Sequence, residues 1–76
     1  MRQEDREKFV RLATKRVSKA LKAIQLIGNL SNKSNYDYTD EDVQKIFRAL
    51  QEELSACRKK FELAQKRQNG VQFSLD

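Results

Sequence analysis

Apolar residues recur along this chain at intervals of three and four, in two long rows separated by a stretch rich in turn-forming residues. The first row is Val10, Ala13, Val17, Ala20, Ile24 and Ile27, spaced 3, 4, 3, 4, 3, with Phe9 and Leu21 widening it. The second is Val43, Phe47, Leu50, Leu54, Cys57, Phe61 and Ala64, spaced 4, 3, 4, 3, 4, 3, a heptad-like seam that Ile46 broadens and Leu63 lies beside. Such spacing places each row on one side of an α-helix and fits no strand. There is no proline to break either helix, and the two glycines, Gly28 and Gly70, stand where a helix can end. The expected class is therefore all-α, an antiparallel helical hairpin. It occupies residues 1–70, with a helix at about 3–30, an elbow at 31–38 and a helix at about 40–69.

The elbow, GNLSNKSNYDYT from Gly28 to Thr39, holds most of the turn chemistry. Glycine takes positive φ at little cost, and the side chains of Asn29, Ser31, Asn32, Ser34 and Asn35 bond nearby backbone in competition with helix. Thr39 and Asp42 have the Thr-x-x-acid spacing of a capping box, and Tyr38 and Val43 stand at the two positions of a hydrophobic staple. Antiparallel pairing about this elbow sets Ile24 near Val43, Val17 near Leu50 and Val10 near Cys57.

A chain of 76 residues is near the size at which one core is marginal without help. Covalent help is excluded within the chain, because Cys57 is the only cysteine, and without histidine there is no His/Cys metal site. In the seam, Cys57 is expected to be a buried small hydrophobe. A further apolar row on α-helical spacing, Leu12, Ala23, Leu26 and Leu30, is expected on nearly the opposite side of the first helix, where one partner helix cannot cover it. A homodimer forming a four-helix bundle follows as the expectation, with Leu12, Leu26 and Leu30 in the interface. No apolar run spans a membrane and MRQEDREKF has acids where a signal peptide has an apolar stretch, so a reduced cytoplasmic setting is expected.

The net charge of +5 conceals a segregation. From Lys8 to Tyr36, 29 residues, there are seven basic residues and no acid; from Asp37 to Glu53 there are six acids against Lys45 and Arg48; from Leu54 to Gly70 there are five basic residues against Glu62. On the first helix Lys8, Arg11, Lys15, Lys19 and Lys22 fall within a sector of roughly 80°. A solubilising face usually mixes signs, so an unmixed row suggests sequence-independent contact with nucleic-acid phosphates. The residues expected to carry it are Arg11, Lys15, Arg16, Lys19 and Lys22, with Arg58, Lys59 and Lys60 beside them. The bland alternative is a solvated face whose charges pair with Glu52, Glu53 and Glu62.

Catalysis finds no support: there is no Ser/His/Asp set, no phosphate-binding glycine loop and no cysteine pair, and no cofactor or small-molecule substrate is expected. Asp40, Glu41 and Asp42 are capping and dipole residues, since three consecutive helical side chains point about 100° apart and do not converge on a cation. Tyr36 and Tyr38 have two readings, as platforms for a base or protein partner and as structural closure of the bundle end. The protein is thus expected to act by binding, to nucleic acid or to a protein.

Residues 71–76 alternate apolar and polar, as an extended tail does. Gln72-Phe73-Ser74-Leu75-Asp76 resembles the short peptide by which bacterial proteins dock on the replication sliding clamp. It matches at Gln72, Ser74 and Leu75 but ends in Asp76 where that peptide has an apolar anchor. The segment LIGNLSNKSNYDYTDEDVQKIFRAL, Leu26 to Leu50, resembles short bacterial proteins of mobile elements and phages. That resemblance brings no assigned activity and no site residue. It implies a small regulator or inhibitor acting by binding, such as one directed at a host nuclease.

Overall fold

A computed structural model describes residues 2–71, and the side chains of residues 2–66. The architecture is all-α. Helix α1 spans Arg2–Gly28, a single 3-10 turn follows at Asn29–Ser31, and helix α2 spans Asp40–Val71. The chain divides into two compact units, Met1–Asp37 and Tyr38–Asp76, each built around one helix.

In the first unit, Glu4 and Asp5 lie in the opening turn of α1, where carboxylates oppose the positive end of the helix dipole. Gln3 Nε2 donates to Glu7 Oε1 at 3.3 Å, one turn on, and the Arg6 guanidinium stands 6.0 Å from the centre of the Phe9 ring, a cation–π distance. The helix ends differently from the expectation. Gly28 keeps right-handed helical angles, φ −59° and ψ −31°, and no described residue has positive φ. Instead of a left-handed cap, the last turn tightens to 3-10 geometry and Asn32 swings to φ −71°, ψ 100°.

Asn32 then closes the turn from both sides of its peptide. Its side-chain Oδ1 accepts the Ser34 N–H at 3.0 Å, an Asx-turn, and its carbonyl accepts the N–H groups of Asn35 and Tyr36, each at 3.0 Å. The work expected of glycine is done by an asparagine, because its amide side chain satisfies the backbone that the helix stops serving.

In the second unit the capping box forms as expected. Asp42 N–H donates to Thr39 Oγ1 at 3.1 Å, Thr39 N–H donates to Asp42 Oδ2 at 2.9 Å, and Val43 N–H reaches the Thr39 carbonyl at 3.2 Å. Tyr38 and Val43 are both half-buried, as staple residues should be. The Thr39 N–H, then the Thr39 hydroxyl and Lys45 hold the Asp42 carboxyl below its ordinary value of 3.8. Three acids, Asp40, Glu41 and Asp42, fill the first turn. At the other end the helix runs through Gly70 to Val71, past the stop expected at Asn69, so Gly70 is no C-cap and Lys66 and Arg67 precede the final turn. The extended tail expected at 71–76 is helical at Val71; residues 72–76, with the clamp-like peptide, lie outside the described residues.

None of the described residues is buried. On α1 the main row is exposed at Phe9, Val10, Val17, Leu21 and Ile24, with Leu12, Ala13 and Ile27 half-covered. On α2 Phe47, Leu54 and Phe61 are exposed at 52%, 66% and 54%, and Val43 and Leu50 are half-covered. Cys57, expected to be buried, is exposed. A single helix cannot bury its own apolar side, so these rows become a core only against another helix.

Two outcomes test this description. A Cβ at Gly28 meets nothing within 4 Å and the backbone there is already helical, so Gly28→Ala should stabilise α1 by about 0.5–1 kcal/mol, seen as a higher midpoint in thermal circular dichroism. Thr39→Ala removes the cap and should cost about 1 kcal/mol. Because the folded pKa of Asp42 lies below its unfolded value, the cap's ionic part is present above about pH 3.8 and is lost as pH falls through the folded value. The acid-side loss of helicity should therefore shrink in Asp42→Asn.

Candidate nucleic-acid interface

Along an unbroken α1, at about 100° per residue, the five residues Lys8, Arg11, Lys15, Lys19 and Lys22 stand between about 20° and 100° on the helix circumference. All five are exposed. They advance about 21 Å along the axis, at roughly 1.5 Å per residue over fourteen residues. No acid lies anywhere between Lys8 and Tyr36, so nothing within this unit's helix beyond Glu7 offsets the row. Extended polyanions offer phosphates at a few ångströms' spacing, and a straight cationic edge of this length meets several of them at once.

Arg16 does not share this edge. It stands at about 160°, turned toward the main apolar row, which is centred near 230°. The second apolar row also sits differently from the expectation. Leu12, Ala23 and Leu26 fall at about 120°, 140° and 80°, roughly 115° from the main row and not opposite it. Leu26, 58% exposed, lies inside the basic sector at its C-terminal end, and Leu30, 46% exposed, belongs to the 3-10 turn. Leu12 is half-covered by its own helix neighbours. The three leucines expected to form one interface are therefore a border to the basic edge rather than a separate face.

On α2 the expected basic block does not converge. Arg58, Lys59 and Lys60 are consecutive and exposed, and point about 100° apart, for the same reason that Asp40, Glu41 and Asp42 cannot share a cation. Arg58 flanks the apolar seam, Lys60 flanks its other side, and Lys59 lies on the outer face at about 140°. That outer face alternates sign, with Glu41, Lys45, Arg48 and Glu52 all within about 60° of one another. Mixed charge of this kind is ordinary solvation. The unmixed cationic edge belongs to α1 alone.

The two tyrosines also separate. Tyr36 is 49% exposed and its N–H is held by the Asn32 carbonyl, so the ring projects from an ordered turn. Tyr38 is half-buried beside the capping box. Sequence reasoning paired them and missed Asn32, whose role depends on a backbone angle that its identity alone does not reveal. No group of three His, Cys, Asp or Glu side chains among the described residues is placed to hold a metal ion, and no helix there is long and apolar enough to cross a membrane. No protein-family model, curated protein or solved structure matches the chain.

Proposed function

We propose that the protein is a non-enzymatic, cytoplasmic nucleic-acid-associated accessory or regulatory factor of a mobile element, and that it contacts phosphates through the cationic edge of α1. The observation that carries this reading is the unmixed row Lys8, Arg11, Lys15, Lys19 and Lys22, exposed on one side of a continuous helix. Binding of this kind is sequence-independent: each cation displaces condensed counterions, and no side chain set suited to reading base edges accompanies the row. Tyr36, at the end of the same unit, is positioned to stack on an unpaired base. The second reading is a protein-interaction module, an inhibitor or adaptor of a host nuclease or other complex, and the exposed Leu26 and Leu30 favour it.

Fluorescence anisotropy with labelled oligonucleotides separates the two. Five phosphate contacts predict a slope of log K against log salt near −4.5 for duplex DNA and about −3.5 for a single strand, so duplex affinity should fall roughly 500-fold between 50 and 200 mM salt. Lys15→Glu with Lys19→Glu should abolish binding, and single Lys→Gln changes should each reduce the slope by about one. Unchanged nucleic-acid binding in the doubly reversed variant overturns the proposal. Leu26→Asp should leave the salt slope intact while abolishing capture of a protein partner if the second reading holds.

A further inference from the structure

The exposed rows of the two helices are complementary in size and in flanking charge, and we infer that the main row of α1 in one copy of the chain is covered by the α2 seam of a second copy, antiparallel and in one register. Both rows alternate three and four, so each repeats every 3.5 residues and presents a continuous seam. In the register that sets Val17 opposite Leu50, small residues of α1 meet large residues of α2: Ala20 faces Phe47 and Ala13 faces Leu54. Alternation of small against large is what lets facing layers interdigitate without voids.

The flanks agree independently. In an antiparallel pair, like flanks meet. On one side Arg16 falls beside the partner's Glu53, and on the other Glu7 falls beside the partner's Arg58. Both are opposite charges. This accounts for the position of Arg16 and Arg58 at the borders of the apolar rows, outside the cationic edge. That edge lies on another side of α1, so the pairing leaves Lys8, Arg11, Lys15, Lys19 and Lys22 free to solvent.

A second copy is the occupant that the area favours. A fully buried large apolar side chain removes roughly 60–120 Å² from water, and about half of that remains to be covered here because the helix already shields the rest. Nine such side chains give roughly 300–500 Å² of apolar surface per seam, too little for a stable interface. Two copies pair reciprocally, each giving its α1 row and its α2 seam. The doubled apolar area, with its polar rim, corresponds to about 1,000–1,700 Å² in all, the size of stable interfaces.

Cys57 lies exposed on the α2 seam, opposite Val10 in this register, and reports on it directly. The full-length Val10→Cys variant, oxidised at micromolar concentration, should give a covalent dimer whose peptide map joins positions 10 and 57. The parent chain, with Cys57 alone, should give little. A cross-linked species at monomer mass, a dimer joined through Cys57 to Cys57, or no cross-link at all overturns the proposal. A second measurement does not depend on the new thiol: Glu53→Arg should weaken dimerisation in sedimentation equilibrium by about tenfold, and adding Arg16→Glu should restore most of it. Failure of the second change to rescue the first removes the register. Neither result depends on whether nucleic acid binds.

Discussion

Two consecutive apolar helices of this length would fuse into one rod unless the backbone between them were stopped and restarted, and the hydrogen bonds of residues 32–43 do both. Asn32 stops α1 by taking an extended ψ and offering its side-chain amide oxygen and its carbonyl to the following N–H groups. Thr39 and Asp42 restart α2 by satisfying each other's backbone N–H. Every one of these groups would otherwise be an orphan of a helix end, and their pairing makes the break inexpensive. Because both ends are fixed, the phase of each helix is fixed too, and with it the side to which each apolar row and the cationic edge point.

That phase gives α1 two distinct sides. Its apolar row and its cationic edge are centred roughly 170° apart, so a partner on one leaves the other open. Arg16 marks the border between them. Helix α2 has no such division: its outer face interleaves Glu41, Lys45, Arg48 and Glu52, and its seam is flanked by both signs. One helix is thus suited to an extended anion and the other to a matching helix. A partner for the rows is a physical need, since none of the described residues is buried. Without burial a helix of this composition is held by caps and i, i+4 contacts alone, each worth a fraction of a kcal/mol to about 1 kcal/mol.

Much of this was legible in the residues. The 3/4 spacing identified both helices, and Thr39-x-x-Asp42 located the start of α2 to the residue, because a capping box is a local motif whose two hydrogen bonds depend on side chains three positions apart. The same locality explains the failures. Gly28 looked like a left-handed cap, but whether a glycine uses its freedom depends on how the next residues bond, and Asn32 supplied the alternative. Gly70 misled in the same way. The basic clusters misled when read as runs: Lys59 and its neighbours are adjacent in sequence and divergent in space.

Alone, then, the sequence determined helix, break, restart and the segregation of charge, since each follows from interactions reaching no further than one turn. The tertiary structure decided the angles at Gly28 and Asn32 and the exposure of Cys57 and the apolar rows. Burial is a property of what lies across from a side chain, and the spacing of a row specifies that a partner is needed without specifying where it comes from.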